Sequence, residues 1–147
     1  FFGLGAVVGT TWLLCIDTLP DGAWVAGGAV GALATAILVV NNLRDRIGDQ
    51  HNQKRTLAVR FGAKFARWEY SLLVLGALAS TVAMAWIQDS WGWLLPVVLI
   101  PLAFKRIRQV WRFDGRELNP LLGATAQLEL LFCLLLGTGL VLESWLG

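Results

Sequence analysis

All twelve lysines and arginines of this 147-residue chain fall in two short segments, and long uncharged stretches flank them. Seven are Arg44, Arg46, Lys54, Arg55, Arg60, Lys64 and Arg67; the other five are Lys105, Arg106, Arg108, Arg112 and Arg116. A water-soluble domain intersperses both signs of charge over its surface. Basic residues gathered in alternate loops are instead the positive-inside pattern of a chain threaded through a membrane. Composition agrees: 56% of residues are apolar and 15% charged, against about 45–50% and about 25% in a soluble domain. Intrinsic disorder, which needs low hydrophobicity and high net charge, is excluded. So is a disulfide scaffold: Cys15 and Cys133 are the two cysteines, and both sit in apolar stretches as small apolar side chains.

The stretches between the charges are residues 1–16, 22–43, 70–88, 90–104 and 118–142, the last broken only by Glu129. A spanning helix needs about 20 apolar residues, within a range of about 17–25. The second, third and fifth stretches meet this. The fourth is short and holds Pro96 and Pro101, which bend or end a helix, but the aliphatic stems of Lys105 and Arg106 can extend it. Five crossings would put Asp17, Asp21, Asp89 and Glu143 on one side. Segments 44–67 and 105–117 would lie on the other, which the positive-inside rule makes cytoplasmic. Trp24, Trp68, Trp86, Trp91, Trp93 and Trp145 fall near span ends, as an aromatic belt requires. The expected fold is an all-α polytopic transmembrane helix bundle of about five spans. Gly3-Leu4-Gly5 and Gly27-Gly28-Ala29-Val30-Gly31 read as close helix contacts, not phosphate loops, because they lie inside apolar spans. Phe1 opens directly in an apolar run without a basic flank or a small-residue cleavage site, so it is not a signal peptide. It reads as the inside of a helix that starts earlier.

The first basic segment carries more than topology requires. Residues 41–60 read N-N-L-R-D-R-I-G-D-Q-H-N-Q-K-R-T-L-A-V-R. If the second span continues helically past Leu43, Asn41, Asp45 and Asp49 share one face at i, i+4 and i+8. Two like charges one turn apart repel, and two offsets are available. Arg44, Arg46 and Lys54 can pair with them, or a divalent cation can bridge them. Carboxylate and amide oxygens, with only His51 as a nitrogen donor, suit Mg²⁺, which keeps waters and binds one or two carboxylates plus substrate phosphates. Arg44, Lys54, Arg55 and Arg60 supply charge for a phosphate. Spacing alone leaves two readings open: a metal–diphosphate site, and a solvated loop with weak surface ion pairs. His51, alone in a polar loop, reads more readily as solvated than as a base or ligand. Glu129, an acid inside a span, either serves a functional site or hydrogen-bonds within the bundle to Gln127, Thr125 or a neighbouring helix. Lys105, Arg106, Arg108 and Arg112 fix topology and touch anionic lipid, with a diphosphate contact as the lesser alternative.

N-N-L-R-D-x-x-x-D followed by K-R-T-L-A-V-R-F-G resembles the second aspartate-rich motif of the UbiA superfamily of intramembrane prenyltransferases, most closely its menaquinone-pathway branch. Phe1-Phe2-Gly3 with Val8-Gly9-Thr10 resembles that family's fifth helix. Leu118-Asn119-Pro120-Leu121-Leu122, with Thr125-Ala126-Gln127-Leu128 and Leu131-Phe132, resembles its last helix and the approach to it. One position departs: Gln53 stands where the family usually has Gly before the Lys-Arg-Thr run.

The resemblance implies a nine-helix fold in which residues 1–147 correspond to helices five to nine. They would form the C-terminal part of one prenyltransferase domain, partnered by an N-terminal half with the other aspartate-rich motif. It implies Mg²⁺ as cofactor, with Asp45 and Asp49 as catalytic metal ligands. Asn41 or Asn42 would assist, and Lys54, Arg55 and Arg60 would be diphosphate partners. The implied substrates are a polyprenyl diphosphate and 1,4-dihydroxy-2-naphthoate, joined with loss of CO₂. The implied setting is the lipid bilayer of the cell membrane, with no nucleic-acid partner. The chain alone, holding one motif of two, is expected to be inactive. Alternatives are a UbiA-type enzyme for another aromatic acceptor, a fragment of a secondary transporter, and a scaffold whose basic loops bind anionic lipid. The transporter reading conflicts with an aspartate pair at a span end, and the scaffold reading leaves Asp45 and Asp49 unexplained.

Overall fold

Hydrocarbon offers no hydrogen bonds, so an apolar segment inside it must pair its own backbone, which a helix does. A computed structural model describes residues 2–14 and 19–146; the expectations for Phe1, Cys15 and Asp17 lie outside the described residues. Five α-helices follow in order: α1 (Phe2–Leu14), α2 (Asp21–His51), α3 (Leu57–Gln88), α4 (Ile100–Arg112) and α5 (Asn119–Leu146). Two 3₁₀ helices, Trp91–Leu99 and Gly115–Leu118, lead into α4 and α5. Among the described residues there is no strand.

Three rods, Asp21–His51, Leu57–Gln88 and Gly115–Leu146, are long and apolar enough to cross a membrane. Only 33%, 44% and 28% of their most apolar windows are buried within the chain. Leu72, Trp86, Leu130 and Trp145 point outward. So much exposed apolar surface fits a lipid surround. The fourth apolar stretch does not break at its prolines. It forms a nine-residue 3₁₀ helix containing Pro96, and α4 begins with Pro101 in its first turn, where a missing N–H costs nothing. At about 2.0 Å per residue for 3₁₀ and about 1.5 Å for α-helix, the apolar part of this rod, Trp91–Phe104, reaches about 26 Å, against about 21 Å as an α-helix throughout. The tighter, more extended 3₁₀ winding therefore lengthens a stretch that is short by residue count.

Helix α2 runs through the middle, with α1, α3 and α5 against it. Gly3 of α1 meets Gly31 of α2 so closely that a Cβ on Gly3 would sit 2.4 Å from the Gly31 Cα, which bears out the small-residue contact. The core gathers Leu33 and Val40 of α2, Tyr70 and Val74 of α3, Val110 of α4, and Leu128 and Phe132 of α5. One polar link crosses it: the Tyr70 hydroxyl and Thr125 Oγ1 lie 3.0 Å apart, fully buried. Cys133 is a free, half-buried thiol. Glu129 is half-buried on α5, and no hydrogen bond to its carboxylate forms among the described residues.

Segment 44–67 is largely helical rather than an open loop. Helix α2 continues to His51, and α3 begins at Leu57, leaving residues 52–56 between them. From Leu43 to His51 the helix adds about 12 Å beyond the apolar span. The aspartates therefore ride on a rigid helical extension.

Candidate functional site

Two chain turns build the site. The first closes α2. Gln53 adopts a left-handed backbone (φ 56°), and its N–H donates to the Gln50 carbonyl at 3.2 Å, while the Lys54 N–H donates to the Asp49 carbonyl at 2.9 Å. This is the Schellman pattern, which usually recruits glycine for the left-handed residue. The position where the resemblance expects Gly is thus the position that needs it. The turn folds Lys54 back over the last helical turn, and its Nζ lies 3.3 Å from Asp49 Oδ1. Replacing Gln53 with Gly should relieve about 0.5–1 kcal/mol of left-handed strain. The thermal midpoint of the Gln53→Gly protein in detergent should therefore rise by a few degrees, and a fall would contradict this account of the turn.

The second turn joins α4 to α5. Arg67 of α3 clamps it: Nε donates to the Val110 carbonyl at 3.0 Å, and Nη2 donates to the Phe113 carbonyl at 3.3 Å and to Asp114 Oδ1 at 2.8 Å. These bonds satisfy carbonyls at the end of α4 that the helix leaves free. The chain then turns through Gly115–Leu118 and brings Arg116 and Asn119 against the extension of α2.

Between the two turns lies an open cleft of about 850 Å³ lined by Arg44, Asp45, Asp49, Lys54, Arg116 and Asn119, with Ile47, Gly48, Asn52 and Gly115 completing the wall. Asp45 and Asp49 stand one helical turn apart, as the spacing predicts. Arg44 ties the cleft together. Its Nε donates to Asp45 Oδ1 at 2.7 Å, its Nη2 to Asp45 Oδ2 and to Asn41 Oδ1 at 2.8 Å, and its Nη1 to Asn119 Oδ1 at 3.2 Å. That hydrogen bonding holds the Asp45 carboxyl below the usual carboxylate range and pushes the Arg44 guanidinium up. Asp49 is nearly buried, its side chain 10% exposed, while its partner Lys54 is 66% exposed.

The oxygen donors here, two carboxylates and the Asn119 amide, fit a hard divalent cation that keeps waters and shares its shell with phosphate. Among the described residues no three His, Cys, Asp or Glu side chains gather into a closed metal cage, which leaves room in the shell for waters and phosphate oxygens. Three cations, Arg44, Lys54 and Arg116, face the same space.

The sequence-derived candidates divide. Asp45, Asp49 and Lys54 line the cleft, and Asn41 joins through Arg44. Asn42 faces the α3 side, in a small pocket of about 140 Å³ with Leu57, Ala66 and Glu69. Arg55 is exposed in the turn outside the cleft lining. Arg60 lies over the Phe61 ring at 5.5 Å, in a short helical piece set off from the rest of α3 by Gly62, whose φ of 85° and ψ of 172° suit only glycine. His51 is exposed and also outside the lining. Neither Arg116 nor Asn119 stands among those candidates, although Asn119 lies in the Leu118–Leu122 run that resembles the family's last helix. Their shared signal is that a basic residue and an asparagine open the last apolar stretch.

The UbiA prenyltransferase family matches residues 1–123. A 1,4-dihydroxy-2-naphthoate octaprenyltransferase of Escherichia coli (strain K12) is 37% identical over 99% of this chain and 47% of its own length. Proteins of the same description in Mycobacterium leprae (38% identical, 85% of this chain, 42% of the relative) and Haemophilus influenzae (35% identical, 97% and 46%) are similar too. The chain therefore spans about half the length of the curated relatives it matches. No solved structure matches it. An all-α bundle with membrane-length helices, an aspartate pair one turn apart at a span end, and a family match over most of the sequence agree: the chain belongs to the UbiA prenyltransferase family.

Proposed function

We propose that this chain is the C-terminal part of a membrane enzyme that moves a polyprenyl group from an allylic diphosphate to 1,4-dihydroxy-2-naphthoate, with loss of CO₂, in menaquinone biosynthesis. One observation carries the reading: two carboxylates and three cations converge on a single cleft at the end of the bundle. When bound by Asp45 and Asp49, Mg²⁺ supplies Lewis-acid stabilisation of charge on the departing pyrophosphate. Lys54, Arg44 and Arg116 supply positive charge where that negative charge develops. The Arg44–Asp45 and Lys54–Asp49 pairs each have one side chain open to solvent, Asp45 in one and Lys54 in the other, so Arg44 and Lys54 can exchange carboxylate oxygens for phosphate oxygens of like charge. Beside the cleft, Leu43, Leu118 and Leu121 are buried and keep water from the side where an allylic cation would form. An apolar groove of about 450 Å³ bordered by Val7, Ala26, Trp93 and Leu136 offers one wall for a polyprenyl tail. The cleft faces the cytoplasm of the cell membrane in this reading, because both basic segments lie at its end.

The test uses the full-length protein in detergent with octaprenyl diphosphate and a panel of aromatic acceptors. The expected product is the decarboxylated, prenylated naphthoate, lost with EDTA and restored by Mg²⁺. Equal transfer to a different carboxylated ring would point to another acceptor, and EDTA-insensitive transfer would remove the metal from the reading. The 147 residues expressed alone should show no turnover, since relatives use about twice this length; measurable transfer by the isolated chain would refute that.

A further inference from the structure

A second basic site lies on α4 and shares no lining residue with the diphosphate cleft. Lys105, Arg108 and Arg112 follow at i, i+3 and i+7, which puts them along one helical face. They border an open groove of about 600 Å³ together with Pro101 and Phe104. All three cations are exposed, and among the described residues no carboxylate lies within ion-pair distance of them. This separates them from Arg44, Lys54 and Arg67, each of which has an acidic partner. It also separates them from Arg106, whose Nε is buried and whose Nη1 donates to Gln109. Phe104, 48% exposed, and Pro101 lie toward the apolar part of the rod, and the cations lie beyond it. The order along the helix is apolar first, then three positive charges, which is the order a membrane lipid presents from acyl chain to headgroup.

We propose that this groove binds the phosphodiester headgroup of an anionic phospholipid, with the glycerol and upper acyl chain over Phe104 and Pro101. Unpaired cations at the edge of a bilayer attract anionic headgroups, each adding to the affinity. Guanidinium forks suit phosphate oxygens, and an ammonium adds a mobile third contact. The inference does not depend on the transferase reading, because it uses none of the cleft residues.

The test is native mass spectrometry of the full-length protein released from nanodiscs of equal phosphatidylcholine and phosphatidylglycerol. Wild type should retain phosphatidylglycerol preferentially. The Lys105→Gln/Arg108→Gln/Arg112→Gln protein should lose that preference by at least about tenfold. Lys64→Gln, which removes one exposed charge on α3, should retain it. The charge-keeping variant Lys105→Arg/Arg108→Lys/Arg112→Lys should stay close to wild type, which controls for folding. Phe104→Ser, with charge unchanged, should weaken retention. Equal retention by wild type and the triple glutamine variant would overturn the proposal. So would displacement of the lipid by millimolar inorganic phosphate, which would mark a free-anion site.

Discussion

In the full-length protein, Asp49→Ala should lower Mg²⁺-dependent prenyl transfer by on the order of a thousandfold, and Asp45→Ala should do the same. Each carboxylate stands at the cleft with a basic partner, Asp45 with Arg44 and Asp49 with Lys54. Removing either deletes half of the oxygen pair that would hold the cation and leaves one basic side chain without its counter-charge. The two variants should differ in a second readout. Asp45 fixes the Arg44 fork that reaches Asn41 and Asn119, so Asp45→Ala should also weaken diphosphate binding through a misplaced Arg44. Asp49 holds only the flexible Lys54, so its loss should fall mainly on the chemical step. Neither change should lower the thermal midpoint by more than a few degrees, because partly exposed ion pairs contribute about 0–1 kcal/mol each. Measuring kcat and KM for the prenyl diphosphate beside the melting curve separates these effects. Near-normal turnover in either variant would remove the site assignment, and a collapse of the melting curve would make the aspartates structural.

The second large effect is on folding. Gly139→Ala should destabilise the protein by about 3 kcal/mol. On α5, Gly139 lies against Gly92 of the 3₁₀ helix, and a Cβ at 139 would sit 2.2 Å from the Gly92 carbonyl oxygen. The obstacle is backbone, so no side chain can swing aside; the two elements would have to part. The same contact aligns Glu143, one turn further along α5. Its carboxylate accepts from the Ser90 hydroxyl and from the Trp91 and Gly92 N–H groups, each of the latter at 3.1 Å. Those donors belong to the start of the 3₁₀ helix and have no partner within it. Separating the elements therefore also uncaps the rod that carries α4. Small residues at such crossings are how membrane helices approach closely. Gly137→Ala, whose Cβ meets nothing within 4 Å, should stay close to wild type, and thermal unfolding in detergent compares the two. Similar midpoints for both variants would show that the close approach is not needed.

The architecture was largely legible from charge placement, because lipid imposes a one-dimensional rule: uncharged runs become helices and charges stay at their ends. The aspartate face was legible for the same reason, since helical periodicity alone aligns Asn41, Asp45 and Asp49. The Gly expected at position 53 was visible as a departure, and the left-handed backbone there supplies its physical meaning. The fourth apolar stretch was harder to read. Residue count and two prolines argue for a break, but a 3₁₀ helix, capped by a glutamate some fifty residues away, runs directly into α4.

Local sequence, then, determined the apolar helices and the carboxylate pair, because each depends on neighbours within about two turns; the helix ends ran past the uncharged stretches, α2 to His51 and α3 back to Leu57. Which basic residues share a space with that pair was decided only by the tertiary structure. Arg55 and Arg60 are close in sequence yet lie outside the cleft lining, Arg60 over the Phe61 ring. Arg116 and Asn119 are distant in sequence yet line the cleft, because the Arg67 clamp folds the α4–α5 turn onto α2 and Arg44 bonds Asn119 across 75 positions. Charge acts through space, and only the packing of α2 against α3 and α5 sets those distances.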